Sequence, residues 1–144
     1  MSQQYLLDTG PLAAYLLGRE NATSVISPWI AANRAVTSVI VYGEVCEYFK
    51  GMTNFETRHK ELRELLQVVT PYALTYDILD RFADLRRTLR PPHGPGLIDD
   101  LDTLIAATAL EYGLPVVTHN VKHFARVAGL RVIDLNHPTK EVAA

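Results

Sequence analysis

Short apolar runs alternate along the chain with longer segments in which apolar residues recur at helical spacing. The short runs, several of them rich in β-branched residues, predict strands at 5–7, 35–39, 68–71, 115–118 and 131–133. The longer segments predict helices at 11–17, 21–33, 40–50, 55–67, 77–89 and within 96–110. Prolines and glycines predict a loop at 90–96 and a short turn at 120–124.

Strands that alternate with helices are typical of right-handed βαβ units, whose strands form a parallel sheet with helices on both faces. The sequence therefore predicts an α/β fold of three layers, α/β/α, with a short, mostly parallel central sheet of four to five strands. A length of 144 residues is ordinary for one domain. We expect a single domain at 1–136 and a C-terminal tail at 137–144.

Composition narrows the class of protein. With 48% hydrophobic and 21% charged residues the chain lies in the globular range rather than the disordered one. A net charge of −2 excludes a uniformly basic nucleic-acid binder, although not a local basic patch. The single cysteine, Cys46, excludes an internal disulfide, and no apolar stretch approaches the roughly 20 residues that cross a bilayer. We expect a cytoplasmic protein without a membrane segment.

Two candidate acids follow the first two predicted strands. Asp8 comes directly after the first strand, where aspartate is also a frequent turn residue or helix cap. Glu44 is flanked on its helix by Ile40 and Tyr48, and a carboxylate on such an apolar stripe is costly unless it is paired or bound to a metal. Glu47 points to an ordinary solvent face. Glu44 is therefore the better candidate of the two glutamates.

Three further acids lie at the start of the helix within 96–110. Asp99 and Asp102 lie within about 60° of each other around the helix, and Asp100 points to the far side. Asp99 is either the N-cap of the helix or an auxiliary ligand, and Asp102 is either a favourable charge on the helix dipole or a ligand. Small alanines behind Asp102 would let this helix lie close to the sheet.

The carboxyl ends of parallel strands meet at one edge of the sheet, where such folds bind ligands. Asp8, the residues after Ser38, and Asn120 are expected at this edge. Several acids there would repel one another and raise their own pKa values unless a cation neutralised them. Clustered oxygen ligands favour Mg²⁺ or Mn²⁺, which can activate a water for phosphodiester hydrolysis.

Four segments, taken together and in this order, resemble a known family. They are 6–9 at the first strand, Ser38 followed by Glu44, the helix segment 102–110, and 116–124 at the fourth strand. In these segments the chain resembles the PIN-domain ribonucleases and, among them, the VapC-type toxins of bacterial toxin–antitoxin systems.

The resemblance implies a PIN-like fold and a metal-dependent endoribonuclease that hydrolyses RNA phosphodiester bonds with Mg²⁺ or Mn²⁺. It also implies inhibition by a cognate VapB-type antitoxin and a homodimeric toxin. The metal ligands it implies are Asp8, Glu44 and Asp102, with Asp99 as an auxiliary. Asn120, also assigned to the catalytic set, occupies the position where many members carry a fourth acid. The pocket residues expected beside them are Thr9, Ser38, Thr118 and His119.

Basic residues on both sides of the helix within 96–110 are candidates for phosphate contacts with RNA. They are Arg86, Arg87, Arg90, His93, His119, Lys122, His123 and Arg126. Two alternatives stay open. One is a catalytically weak binding protein whose acidic pocket docks an arginine-bearing partner, which the amide at Asn120 favours. The other is a housekeeping RNA-processing nuclease without an antitoxin.

Overall fold

The computed structural model describes residues 3–138 and, for 141–143, the course of the backbone. The strands are β1 Tyr5–Leu7, β2 Ala35–Ser38, β3 Thr70–Tyr72, β4 Val116–Thr118, β5 Arg131–Asp134 and β6 Glu141–Ala143. The helices are α1 Thr9–Leu16, α2 Glu20–Ala31, α3 Val39–Lys50, α4 Phe55–Leu65, α5 Tyr76–Leu89, α6 Asp100–Tyr112 and α7 Val121–Phe124.

The strands form one sheet in the order β3-β2-β1-β4-β5-β6. The first five strands of this order are parallel, and Leu6 in β1 lies opposite Val36 in β2 and Val116 in β4. From β1 the chain crosses outward to β2 and β3, whereas β4 continues to β5 on the other side. The strand order therefore reverses between β1 and β4, and a crevice opens beyond their carboxyl ends.

The predicted three-layer α/β/α fold with a mostly parallel sheet is confirmed. The sheet gains one strand that the sequence did not predict, because β6 pairs antiparallel with β5 inside the segment expected to be a tail. Its sequence, Glu-Val-Ala, holds a single β-branched residue and lacks the apolar run that marked the other strands. The predicted turn at 120–124 contains the one-turn helix α7.

Helix α6 is buried along the side that carries its small residues. Ile105, Ala106 and Ala109 are fully buried and belong to the same apolar core as Leu6 and Val116 of the sheet. An alanine adds only one carbon beyond the backbone, so neighbouring elements can pack close to α6 here, and its most extensive contacts are with α5. A close approach of α6 to the strands themselves stays a prediction. The helix carries its first turn to the carboxyl edge of the sheet.

Both ends of α6 are capped. The Asp99 carboxylate accepts hydrogen bonds from the backbone N–H groups of Leu101 at 2.9 Å and Asp102 at 3.4 Å. At the other end, Gly113 adopts φ 64°, the left-handed conformation that glycine adopts without steric cost. These caps fix where the helix begins and ends. They therefore fix the position of Asp102 in its first turn.

No helix in the described part of the chain is both long enough and apolar enough to cross a membrane.

Replacing Ala106 with Leu tests the close approach of α6. The added carbons would enter a filled core, so we expect the free energy of unfolding to fall by roughly 1–3 kcal/mol. Urea denaturation measures this loss. Ala83→Leu, at an exposed position on α5, is the matched control and should unfold like the wild type. Wild-type stability of Ala106→Leu would show that α6 does not need a small side chain there.

Candidate active site

Asp8 lies at the point where β1 ends and the strand order reverses. Its backbone N–H donates to the Val117 carbonyl of β4 at 2.9 Å, which places it beside the end of that strand. Its side chain is only 7% exposed, and Oδ2 accepts a hydrogen bond from Thr118 Oγ1 at 2.7 Å. The structure therefore turns this carboxylate into the crevice between β1 and β4.

Thr118 joins the two halves of this crevice. Its buried hydroxyl donates to Asp8 and accepts a hydrogen bond from the backbone N–H of Asn120 at 2.8 Å. Both hydrogen-bonding roles of the hydroxyl are thus used. Thr118 holds the Asp8 carboxylate and fixes the backbone that carries Asn120.

Glu44 reaches the same edge from α3. The helix starts directly after β2 because buried Ser38 caps it, accepting a hydrogen bond from the backbone N–H of Val41 at 3.2 Å. Glu44 is partly buried, and its Oε1 accepts from Thr9 Oγ1 at 2.5 Å. Glu47, one turn further, is exposed. The hydroxyl of Ser38 therefore positions the helix, and the hydroxyl of Thr9 positions Glu44.

Asp102 faces the crevice from the first turn of α6 and is partly buried. Its Oδ2 accepts a hydrogen bond from Asn120 Nδ2 at 3.3 Å and lies 3.5 Å from His123 Nδ1. Asp99 is exposed and serves as the helix cap, and exposed Asp100 pairs with Arg86 on α5. Of the three neighbouring acids, Asp102 is the one that meets the groups following β4.

His123 is a neighbour of the site that sequence reasoning placed only among candidate phosphate contacts. Its Nδ1 lies 2.7 Å from Asn120 Nδ2, in addition to its contact with Asp102. The two residues are three positions apart, which puts them on one side of a helical turn. The spacing of Asn120 and His123 could have predicted their contact only if the short helix α7 had been predicted as well.

His119 lies over the first turn of α1. A Cβ atom added to Gly10 would stand 2.9 Å from His119 Nδ1, closer than real Cβ atoms approach a heavy atom. A side chain at residue 10 would therefore force the exposed imidazole to shift from this position. His119 is exposed, and its charge when protonated favours ionised Asp8.

The pKa values of three carboxylates at this edge are raised, and burial is the largest cause for each. Hydrogen bonds from Thr118 to Asp8, from Thr9 to Glu44 and from His123 to Asp102 lower the pKa values, but by less. Repulsion adds to the burial: Asp102 acts on Asp8, Asp8 on Glu44, and Glu44 on Asp102. Asp99 also raises the pKa values of Glu44 and Asp102, so each of the three carboxylates is repelled by at least one neighbouring acid.

Carboxylate and amide oxygens in one negatively charged crevice are the donors that Mg²⁺ and Mn²⁺ prefer. The donor chemistry of Asp8, Glu44, Asp102 and Asn120 therefore fits a hard divalent cation. In the rotamers present, no three His, Cys, Asp or Glu side chains of the described residues are arranged to hold one metal ion.

These observations define a doubly wound α/β protein with an acidic crevice at its switch point. The chain belongs to the PIN domain family, whose model matches residues 5–130. This match confirms the family resemblance seen in the sequence.

Similar proteins cover almost the whole chain. Ribonuclease VapC1 of Haemophilus influenzae strain R2866 is 28% identical over 131 residues, which span 90% of this chain and 96% of that protein. DNA-bound VapBC from Salmonella typhimurium contains a chain with a TM-score of 0.81 at 19% identity, covering 93% of this chain and 99% of that one. VapBC-1 from nontypeable Haemophilus influenzae gives 0.73 at 26% identity, with coverage of 93% and 99%.

The raised pKa of Asp8 predicts that Asp8→Asn stabilises the protein at neutral pH in the presence of EDTA. The folded state holds the proton more tightly than the unfolded state, whose pKa is near 3.8. Stability therefore falls as pH rises from 3.8 through the raised folded-state pKa. Asn removes this loss and keeps an acceptor for Thr118. We expect urea unfolding to give Asp8→Asn a higher free energy of unfolding than the wild type at pH values above the raised pKa. The difference should disappear near pH 3.8.

Glu56→Gln, an exposed change on α4, is the control and should leave the pH profile unaltered. An Asp8→Asn variant less stable than the wild type at pH 7–8 would contradict the raised pKa of Asp8.

Proposed function

We propose that this protein is a metal-dependent endoribonuclease that hydrolyses RNA phosphodiester bonds and acts as the toxin of a toxin–antitoxin pair. The observation that supports this most strongly is the cluster of carboxylates formed by buried Asp8 and partly buried Glu44 and Asp102, each of which has a raised pKa. A protein gains nothing in stability from such a cluster, so its presence favours a role in binding a cation.

The names of similar proteins support the reaction and the partner. VapC1 of Haemophilus influenzae is named a ribonuclease and matches over 90% of this chain. Several solved structures with the same fold are VapBC complexes, and one from Klebsiella pneumoniae is described as a toxin–antitoxin complex. We infer a VapB-type antitoxin as the partner of this chain.

Asp8, Glu44 and Asp102 are the proposed ligands of Mg²⁺ or Mn²⁺, with Asp99 as an auxiliary at the cap of α6. When bound, the cation would supply a water of lowered pKa and neutralise charge on the phosphate and on the leaving oxygen. Thr118 and Thr9 hold two of these carboxylates by hydrogen bonds. Asn120 donates through Nδ2 to Asp102, so Oδ1 is the atom that can accept from a water.

Exposed cations around the crevice supply contacts for the RNA backbone. Lys122 and Arg126 follow Asn120, and Arg87 and Arg90 lie at the end of α5. Arg86 is less suited than the sequence indicated, because it pairs with Asp100. Phosphate contacts of this kind hold a strand without reading its sequence.

A homodimer and a cytoplasmic location complete the proposal. The homodimer is proposed from the resemblance of the chain to the VapC-type toxins. RNA is the proposed substrate, and the lone Cys46 is free, as in proteins of a reducing compartment.

Asp8→Asn and Asp102→Asn are expected to abolish Mn²⁺-dependent RNA cleavage, because each removes one charged ligand from the cluster. Asp80→Asn and Glu56→Gln remove equal charge from exposed positions on α5 and α4, and should cleave like the wild type. Gel assays with a labelled RNA, with circular dichroism to verify folding, measure the difference. Full activity in both Asp8→Asn and Asp102→Asn would sink the assignment.

A catalytically weak binding protein is the second candidate function. It is favoured by Asn120, because its amide carries no charge at a position where a fourth acid would. The amide instead donates a hydrogen bond to Asp102. It is also favoured by the absence, among the described residues, of three acids already arranged around one point. In this alternative the acidic crevice docks an arginine of a partner rather than a metal.

Metal-dependent stability separates the two candidates. For the nuclease we expect Mn²⁺ to raise the free energy of unfolding by about 2.7 kcal/mol at a concentration 100 times its Kd. The increase should vanish in Asp102→Asn and persist in Asp100→Asn. Thermal denaturation with and without millimolar Mn²⁺ measures it. An unchanged melting temperature, together with tight binding of an antitoxin peptide, would favour the binding protein.

A housekeeping nuclease would share the chemistry but lack an antitoxin. A small adjacent gene for a DNA-binding partner distinguishes the toxin from that alternative.

A further inference from the structure

We propose that a cavity between α1 and α3 is a subsite for one nucleotide of the RNA strand, beside the acidic crevice. This inference rests on the proposed ribonuclease function and adds to it a contact with a nucleotide that flanks the bond that is cut. The cavity has a volume of about 330 Å³, within the range of roughly 300–1,000 Å³ for small-molecule sites. Its principal walls are Thr9, Ala13, Leu17, Arg19, Tyr48 and His119.

The cavity shares a wall with the acidic crevice. Thr9 lines the cavity, and its Oγ1 donates to Glu44 Oε1 at 2.5 Å. Thr9 also directly follows Asp8, so the Cα atoms of these two residues are about 3.8 Å apart. His119 lines the cavity as well, and it lies within electrostatic reach of the Asp8 carboxylate. An RNA strand bound with one phosphate at the crevice therefore brings a neighbouring nucleotide to the cavity.

The floor of the cavity comes from one side of α1 and is apolar. Its residues recur at helical spacing: Gly10, Ala13, Ala14 and Leu17. Ala13 and Ala14 are buried, and neither has a side chain long enough to fill the space above the helix. The floor is therefore open enough for a planar base to lie against it.

Tyr48 supplies an aromatic ring at the wall that comes from α3. It is 51% exposed, although a large ring in water loses the benefit of burial. Glu44 and Tyr48 are four positions apart on α3 and so lie on the same side of the helix. The ring thus stands beside the crevice, where a base of a bound single strand can stack on it.

The charge of the walls favours a nucleotide over an apolar peptide. Arg19, the N-cap residue of α2, is exposed, and its guanidinium forms no ion pair or hydrogen bond with the described residues. The described residues that line the cavity include no aspartate or glutamate, and Glu47 lines a separate groove. A phosphate of the RNA backbone would pair with Arg19, whereas an apolar peptide would gain nothing from this charge.

Removing the aromatic ring tests the stacking contact. Tyr48→Ala removes the ring, and Tyr48→Phe keeps it. Tyr76→Ala is the matched control, because Tyr76 is 88% exposed on α5 and does not line the cavity. Binding of a fluorescein-labelled single-stranded RNA 12-mer is measured in the Asp8→Asn background, and cleavage of the same RNA with Mn²⁺ in the active protein.

We expect Tyr48→Ala to raise both Kd and KM about tenfold, the scale of one lost base-stacking contact, with kcat within about twofold. Tyr48→Phe and Tyr76→Ala should match the wild type. Removing one base of the RNA, at a nucleotide beside the cut bond, should lower kcat/KM of the wild type by a similar factor. The same abasic RNA should cause no further loss in Tyr48→Ala, because the ring that the base stacks on is already absent.

Removing the charge tests the phosphate contact. Arg19→Ala should raise Kd and reduce the slope of log Kd against log salt concentration by about 0.7, the value for one phosphate contact with a single strand. Lys60→Ala is the matched control, because Lys60 is an exposed cation on α4 that does not line the cavity. Tyr48→Ala removes no charge and should keep the wild-type slope.

Wild-type Kd and KM in Tyr48→Ala, or an unchanged salt dependence in Arg19→Ala, would overturn the subsite and leave the nuclease standing. Weaker binding of the antitoxin by these two variants, with unchanged binding of RNA, would assign the cavity to the protein partner and also overturn the subsite. Failure of the wild type to bind or cleave RNA would overturn both the subsite and the nuclease.

Discussion

Bringing Asp8, Glu44 and Asp102 to one edge of the sheet costs free energy, because burial and mutual repulsion both oppose their ionisation. The fold confines this cost to one edge of the sheet. Three separate elements deliver the acids: the end of β1, the helix after β2, and the first turn of α6. The core beneath them must therefore fix the relative heights of a strand and two helices.

Two threonines make the arrangement specific. Thr118 and Thr9 each direct one carboxylate by a hydrogen bond, and each lies on an element other than the one that carries its acid. Hydroxyl groups, rather than positively charged side chains, thus hold Asp8 and Glu44 in place. Hydroxyl donors orient a carboxylate while leaving its charge in place, and a cation needs that charge. An arginine in the same position would neutralise the site before any ligand arrived.

Much of the fold was predictable from the sequence, because the parallel strands are buried on both faces and read as short apolar runs. The acids were predictable as candidates because Asp8 ends a strand and Asp102 lies one turn into a capped helix. β6 was missed because its sequence, Glu-Val-Ala, contains no apolar run. The contact of His123 with Asn120 was missed because it depends on the one-turn helix α7.

Glycine at residue 10 leaves room for the ring of His119 on the first turn of α1. A side chain at residue 10 would need part of the volume that the imidazole occupies, so the exposed ring would have to shift. Glycine thereby lets a residue 109 positions further along the chain place its ring within electrostatic reach of Asp8.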